Sequence, residues 1–300
     1  MDVGMTLPVM EPDLWERAGT LERWARDIDA GPWSSLCFGE RMAFDNPEAL
    51  TTLGAVAAWT SRVRLVTTVV VPQLHDVARL AKACATADRL CGGRLTVGLG
   101  VGGREEDYRS VGADLGTQTM AGLADSAHEL RRLWSGEPRS ATPGAEVGRI
   151  GPPPVQPGGP PLLVGTMGPR TVRSAAAWAT GLAGVTMNAD VDETARLFQV
   201  AREAWARAGR PAPLLTTSFW FALDEGDGSA RAQVHRHLRH YMSWLPSDLV
   251  DALAVGAGFA GTPVQLRDLL DRFAAIGADE VQLIPTSADV TQLGLLADHV

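Results

Sequence analysis

Short apolar runs alternate with helical stripes along the whole chain. Residues 3–7 form a buried-strand pattern closed by Pro8, and Leu14, Ala18, Leu21, Ala25 and Ile28 then recur at spacings of four and three, predicting one amphipathic helix. Residues 34–38 predict a second strand. Asp45-Asn46-Pro47 then sets a capping side chain ahead of a proline at the first helical position, and the helix it opens carries Leu50, Leu53, Ala57 and Thr60 on one face. The run 63–71 is β-branched almost throughout and ends at Pro72, the clearest strand in the chain. Val77, Leu80, Ala81 and Cys84 begin the next stripe, which stops at Cys91-Gly92-Gly93.

Residues 94–100 predict a fourth strand that runs into a glycine loop, followed by a helix over about 117–134. Residues 161–165 and 183–187 predict strands five and six, with a helix opening near Gly168-Pro169 between them. Val191, Ala195, Phe198, Ala201 and Trp205 mark a further helix, 214–223 strand seven, and 280–285 strand eight after a helix bearing Leu266, Leu269, Phe273 and Ile276. Eight strands apolar on both faces, alternating with helices, predict an α/β fold: a closed (β/α)8 TIM-type barrel, with an open doubly wound sheet as the competing layout. The Pro/Gly-rich stretch 136–161 and the mostly helical stretch 226–262 read as barrel insertions, so residues 1–300 are expected to form a single domain.

Composition narrows the function. A formal charge of −8 and the absence of a basic run argue against a nucleic-acid partner. No apolar stretch is long enough to span a bilayer, and the acidic start lacks a signal pattern, so a cytoplasmic protein is expected. Cys37, Cys84 and Cys91 form no CxxC pair and read as reduced thiols. Lys82 is the single lysine among many arginines, a bias of GC-rich coding that bears on the host.

The loop from Gly98 through Gly100 to Gly103 satisfies GxGxxG, the dinucleotide fingerprint. The acidic residue that should follow about twenty positions later is missing, and the loop follows the fourth strand instead of the first, so an NAD(P)-linked dehydrogenase is the weaker reading. Glycines there also suit a backbone that lets a flat ring approach closely.

The block 80–112, LAKACATADRLCGGRLTVGLGVGGREEDYRSVG, resembles the central signature of bacterial luciferase-like flavin-dependent oxidoreductases. TSRVRLVTT at 60–68, PVQPGGPPLLVG at 154–165 and GTP at 261–263 fall in that family's order. The resemblance implies a TIM-type barrel, often a homodimer, with F420 or reduced FMN at its C-terminal mouth and a small-molecule substrate. In the FMN case it also implies a separate reductase. Thr67, Thr68, Val69 and Val70 would lie against the ring, at a place where relatives often hold a non-prolyl cis peptide. Gly98, Gly100 and Val101 would flank the ring, and Gly165, Thr166, Met167 and Gly168 would meet the cofactor phosphate. An ordinary helix start explains that last turn equally well on the residues alone, although the free amides of a helix opened by Pro169 suit an anion.

Two departures stand out. The family's Asp-His after strand two is replaced by Phe38-Gly39-Glu40-Arg41, and its arginine in the first turn of the helix ending at Trp134 is replaced by Thr119 or Met120. Glu40 is a candidate catalytic acid or base facing the mouth, weighed against an ion pair with Arg41. His75 is a second candidate, weighed against a capping or structural role. His235, His237 and His240 lack a spacing that suits a metal, while His237, Tyr241 and Trp244 make one polar-aromatic face that either lines a pocket or packs on the barrel. Trp220 and Phe221 are candidates for a pocket wall. The departures keep a non-catalytic flavin-binding relative in view beside the enzyme.

Overall fold

The computed structural model describes residues 1–139, 148–166 and 168–297. Its strands are β1 (Asp2–Thr6), β2 (Ser35–Phe38), β3 (Arg64–Val70), β4 (Leu95–Leu99), β5 (Leu162–Thr166), β6 (Gly181–Gly184), β7 (Leu214–Leu223), β8 (Phe259–Gly261) and β9 (Glu280–Pro285). Every pairing between them is parallel, in the order β6-β5-β4-β3-β2-β1-β9-β7, and β6 pairs with β7 to close the ring. That closure excludes the open sheet. The short β8 is the strand that periodicity missed; it continues the β7 edge above β6, where Phe221–Leu223 pair with Phe259–Gly261.

The helices are α1 (Thr20–Ala30), α2 (Ala49–Trp59), α3 (Val77–Leu90), α4 (Glu105–Ser110), α5 (Met120–Trp134), α6 (Pro169–Ala175), α7 (Val191–Arg207), α8 (Ser229–Tyr241), α9 (Ser247–Ala254), α10 (Pro263–Ala275) and α11 (Thr291–Ala297). Period-two alternation along the strands sorts side chains between two layers. Leu36, Leu65, Val164 and Leu182 join the large core between sheet and helices, while Cys37, Val66, Leu163 and Ala183 fill the barrel interior. Buried tryptophans fasten the helices through their indole N–H groups: Trp24 Nε1 donates to Ala288 O at 2.9 Å and Trp134 Nε1 to Ala81 O at 3.0 Å.

The lower interior is polar. Glu280, buried, accepts from Ser35 Oγ at 2.8 Å and Arg64 at 2.8 Å through Oε1, and from Gln282 Nε2 at 3.0 Å through Oε2. The carboxylate is thus compensated at the end of the barrel away from the site.

Two local expectations need correction. The first helix does not begin near Leu14 but at Thr20, after Pro8, Pro12 and a left-handed Gly19 have held residues 7–19 out of helix. Its cap at the next helix is Glu48, not Asp45 or Asn46; the carboxylate accepts from Leu50 N at 2.9 Å and Thr51 N at 2.6 Å. Burial pushes the Glu48 carboxyl up, but hydrogen bonds from Thr51 and Leu50 outweigh it and hold the group below its ordinary value.

Candidate active site

The C-terminal ends of all eight barrel strands border one cavity of about 530 Å³. Its edges include Thr6, Gly39, Thr68 and Val69, Gly100, Gly165 and Thr166, Gly184, Ser218, and Ile284 with Pro285. Residues 7–11, freed from helix, fold over one side, and Trp220, His237 and Tyr241 close another.

The centre of the site is the end of β3. The peptide bond Thr68–Val69 is cis, within the stretch where the resemblance placed such a bond, and the β3–β4 register shifts between Thr67 and Val70. Glycines surround this departure. A Cβ on Gly100 would lie 2.6 Å from Val69 Cγ2, and one on Gly165 would lie 2.6 Å from Val69 Cγ1. Both distances are shorter than side chains tolerate, so at these two cavity-lining positions backbone instead of side chain meets the two methyl groups of Val69.

The expected cofactor residues separate into two groups. Thr68, Val69, Gly100, Val101, Gly165, Thr166 and Gly168 line the cavity. Thr67, Val70 and Gly98 do not: Thr67 Oγ1 donates to Gly98 O at 2.9 Å, Val70 is core beside Leu99, and a Cβ on Gly98 would strike the Thr67 carbonyl oxygen. The glycine at position 98 therefore serves strand packing. Met167 lies outside the described residues. In the turn after β5, Gly168 N already donates to Thr166 Oγ1 at 3.0 Å, and Thr171 faces the cavity.

Glu40 and His75 come together, but behind the cavity wall. His75 Nε2 donates to Glu40 Oε1 at 2.7 Å, Val71 N donates to Glu40 Oε2 at 2.8 Å, and neither side chain borders the cavity. The expectation that the Glu40 carboxylate faces the mouth is thereby corrected: Glu40 N donates to Val69 O at 3.1 Å, and the carboxylate lies against Val71 and His75. Its weighed partner Arg41 pairs instead with Asp107, Nε to Oδ2 at 2.7 Å, while Asp107 Oδ1 accepts from Met42 N and Ala43 N. Where the family's arginine would stand, Thr119 caps α5 and Met120 borders the cavity.

Of the titratable pair that does border the cavity, His237 was singled out from the sequence and Glu11 was not. His237, on α8, hydrogen-bonds through Nδ1 to Glu11 Oε1, and the two residues are 2% and 4% exposed. The imidazole stacks on Tyr241 at 5.7 Å and 10°, and Trp220 lies 5.8 Å away. Outside this wall the Arg104 guanidinium sits 3.4 Å from the Trp244 ring centre and 5.0 Å from that of Tyr241, joining the β4–α4 loop to α8. The three histidines of α8 diverge, since His235 pairs with Asp251 at 2.7 Å and His240 lies against Phe44.

The composition of the rim fits a flat, partly polar ring. The volume falls within the range of small-molecule sites, and the glycine edges are a cradle that side chains would fill. Comparison with known proteins bears on this. A family model for luciferase-like monooxygenases matches residues 7–280. An uncharacterized protein of Mycobacterium tuberculosis is 37% identical over 169 residues, 53% of this chain and 56% of the relative. An F420-dependent glucose-6-phosphate dehydrogenase of Nakamurella multipartita is 31% identical over 172 residues, 55% of this chain and 49% of the relative. The chain thus spans about half the length of the curated relatives it matches. Among solved structures, a monooxygenase from Streptomyces bottropensis superposes with a TM-score of 0.81 at 21% identity, covering 100% of this chain and 98% of that one.

Proposed function

The chain belongs to the luciferase-like monooxygenase family, and from that premise we propose that it is an oxidoreductase binding coenzyme F420 or FMN in the rim cavity. The observation that carries the reading is the cradle at the end of β3, where Gly100 and Gly165, on the β4 and β5 edges, present backbone against the two methyl groups of Val69. When bound there, F420 supplies or accepts a hydride, whereas reduced FMN activates oxygen for insertion into the substrate. Val69, Gly100, Val101 and Gly165 would meet the ring, and Thr166, Gly168 and Thr171 would meet the more polar end of the cofactor. Glu40 and His75 would act from behind, holding the Gly39 and Val71 backbone in register. The relative named for F420 favours that coenzyme, and the family's monooxygenases favour FMN as the second reading.

The substrate side of the cavity favours a small, neutral and mostly apolar molecule. Leu7, Val9, Met10, Trp220 and Ile284 border it, and no Arg or Lys does so among the described residues. A sugar phosphate of the kind turned over by the Nakamurella relative would meet no cation there. A homodimer in the cytoplasm fits the same reading; no helix among the described residues is long and apolar enough to cross a membrane. Absorbance titration of the purified protein with F420, FMN and NADPH tests the assignment. Binding of F420 or FMN with saturation at one site is expected, and binding of NADPH alone overturns it.

A further inference from the structure

The polar end of the rim cavity is bounded by the turn after β5, with Thr166, Gly168 and Thr171, and by Met120, the first residue of α5, which packs beside α6. Its donors are largely spent. Gly168 N donates to Thr166 Oγ1 at 3.0 Å, and Pro169, which opens α6, has no N–H. α6 is seven residues long, about two turns, so little dipole accumulates at its start. At α5 the Thr119 hydroxyl accepts from Gly122 N at 3.0 Å. What is left for a ligand carries no full charge: the Thr171 side chain and the leading amides of two helices. Cations are missing as well. No Arg or Lys borders the cavity among the described residues, and positions 140–147, 167 and 298–300 contain neither. Arg170 follows Pro169 but is exposed and not part of the lining, and the acidic residue in the lining, Glu11, has the wrong sign for an anion.

We propose that this cavity recognises its cofactor through the ring and leaves a terminal phosphate unclamped, with Met120 as the specificity-determining residue, because it sets a thioether where a cation would have to stand. A phosphomonoester carries about −1.5 to −2 at neutral pH and is ordinarily met by arginine or lysine. The monoester of FMN exchanges its hydration for uncharged donors here and gains nothing on entering. The phosphate of F420 is a diester with a single negative charge, so it brings less charge to the same place, and F420 is the favoured cofactor. The proposal rests on the preceding reading that the cavity holds such a ring, and it narrows that reading to the cofactor whose phosphate is esterified twice. Met120 is half-buried against the main core, and its unbranched course suits an arginine stem whose guanidinium would reach into the cavity.

Calorimetric titration at low ionic strength, where a charge contact shows most strongly, compares FMN with riboflavin, which differ only in the phosphate. The wild type is expected to bind riboflavin as tightly as FMN to within about threefold, or more tightly, and to bind F420 more tightly than FMN. Met120→Arg should make FMN at least about tenfold tighter than riboflavin, the value of one charge-assisted contact, while riboflavin itself stays within about threefold of the wild type. Met120→Leu should leave the ratio of the two flavins where it was. Should Met120→Arg fail to fold, Met120→Lys decides on the same ratio. Arg170→Ala should bind FMN and riboflavin as the wild type does. The proposal is overturned by wild-type binding of FMN more than about threefold tighter than riboflavin, or of FMN tighter than F420. A ratio unmoved in the folded cationic variant, or a selective loss of FMN affinity in Arg170→Ala, overturns it equally. Failure of riboflavin, FMN and F420 alike to bind the wild type would sink the cofactor reading itself, and this proposal with it.

Discussion

Gly98 on β4 and Gly165 on β5 both approach the end of β3 from the same side, yet the structure assigns them opposite jobs, and substitution separates the two. At Gly98 an added Cβ meets the Thr67 carbonyl oxygen, a backbone atom that cannot rotate away. Alanine there would gain about 0.5–1 kcal/mol from reduced freedom of the unfolded chain. The overlap costs more, about 3 kcal/mol, because β3 must shift inside a closed ring. The net loss is about 2–2.5 kcal/mol, so at roughly 2–4 °C per kcal/mol Gly98→Ala should lower Tm by about 4–10 °C. At Gly165 the added atom meets Val69 Cγ1 at 2.6 Å, the far end of a side chain facing open cavity. Gly165→Val should therefore lower stability by only about 1 kcal/mol, since Val69 can turn into free space. That same movement fills the place of the ring, so affinity for F420 or FMN should fall at least about tenfold, the equivalent of 1.4 kcal/mol. Thermal unfolding and cofactor titration of both variants are the assay. A Gly98→Ala protein with wild-type Tm, or a Gly165→Val protein with wild-type affinity, would refute the division of labour.

Other consequences are equally accessible. Glu40→Ala leaves the buried Val71 N–H and His75 Nε2 without their acceptor and should cost about 2–3 kcal/mol in chemical denaturation, whereas Glu40→Gln retains an oxygen for Val71 and should cost about 1 kcal/mol or less. The Glu48 cap of α2 has a carboxyl held below its ordinary value, so its contribution is fully present above the unfolded value of about 4.3 and is lost as pH falls through the lower folded value. Glu48→Gln should accordingly flatten the stability profile between about pH 5 and 3, and an unchanged profile would dismiss the cap. Burial pushes the Cys84 thiol up to about 12 and raises Cys37 and Cys91 as well. A thiol reagent should thus label none of the three in the folded protein and all three in denaturant.

A parallel sheet covered by helices was legible because each strand is apolar on both faces, a pattern that barrels share with doubly wound open sheets but not with half-exposed sheets. The competing open sheet differs only in whether β6 meets β7, a long-range pairing that carries no local signal. Three-residue β8 fell below any periodicity, and the first helix was placed too early because Leu14 and Ala18 continue its stripe although Pro12 and Gly19 interrupt the backbone. At the site, the glycine and β3 stretches were found through their resemblance, but spacing could not tell Gly98, which packs a strand, from Gly165, which borders the cavity. Glu40 was expected to face the mouth because it follows a strand, and its carboxylate instead pairs with His75 and the Val71 N–H, long-range partners that carry no local signal. The Glu11–His237 contact joins positions 226 residues apart. Its one local trace was the His237, Tyr241 and Trp244 stripe, which spacing left open between lining a pocket and packing on the barrel.

A crystal structure with F420 or FMN bound tests the central claim most directly. The planar ring should lie against Thr68–Val69 with Gly100 and Gly165 on its flanks, and the polar end of the cofactor should run towards Thr166 and Thr171. A cofactor bound away from the β3 end, or a ring excluded from this cradle by a rearranged Val69, would contradict the account.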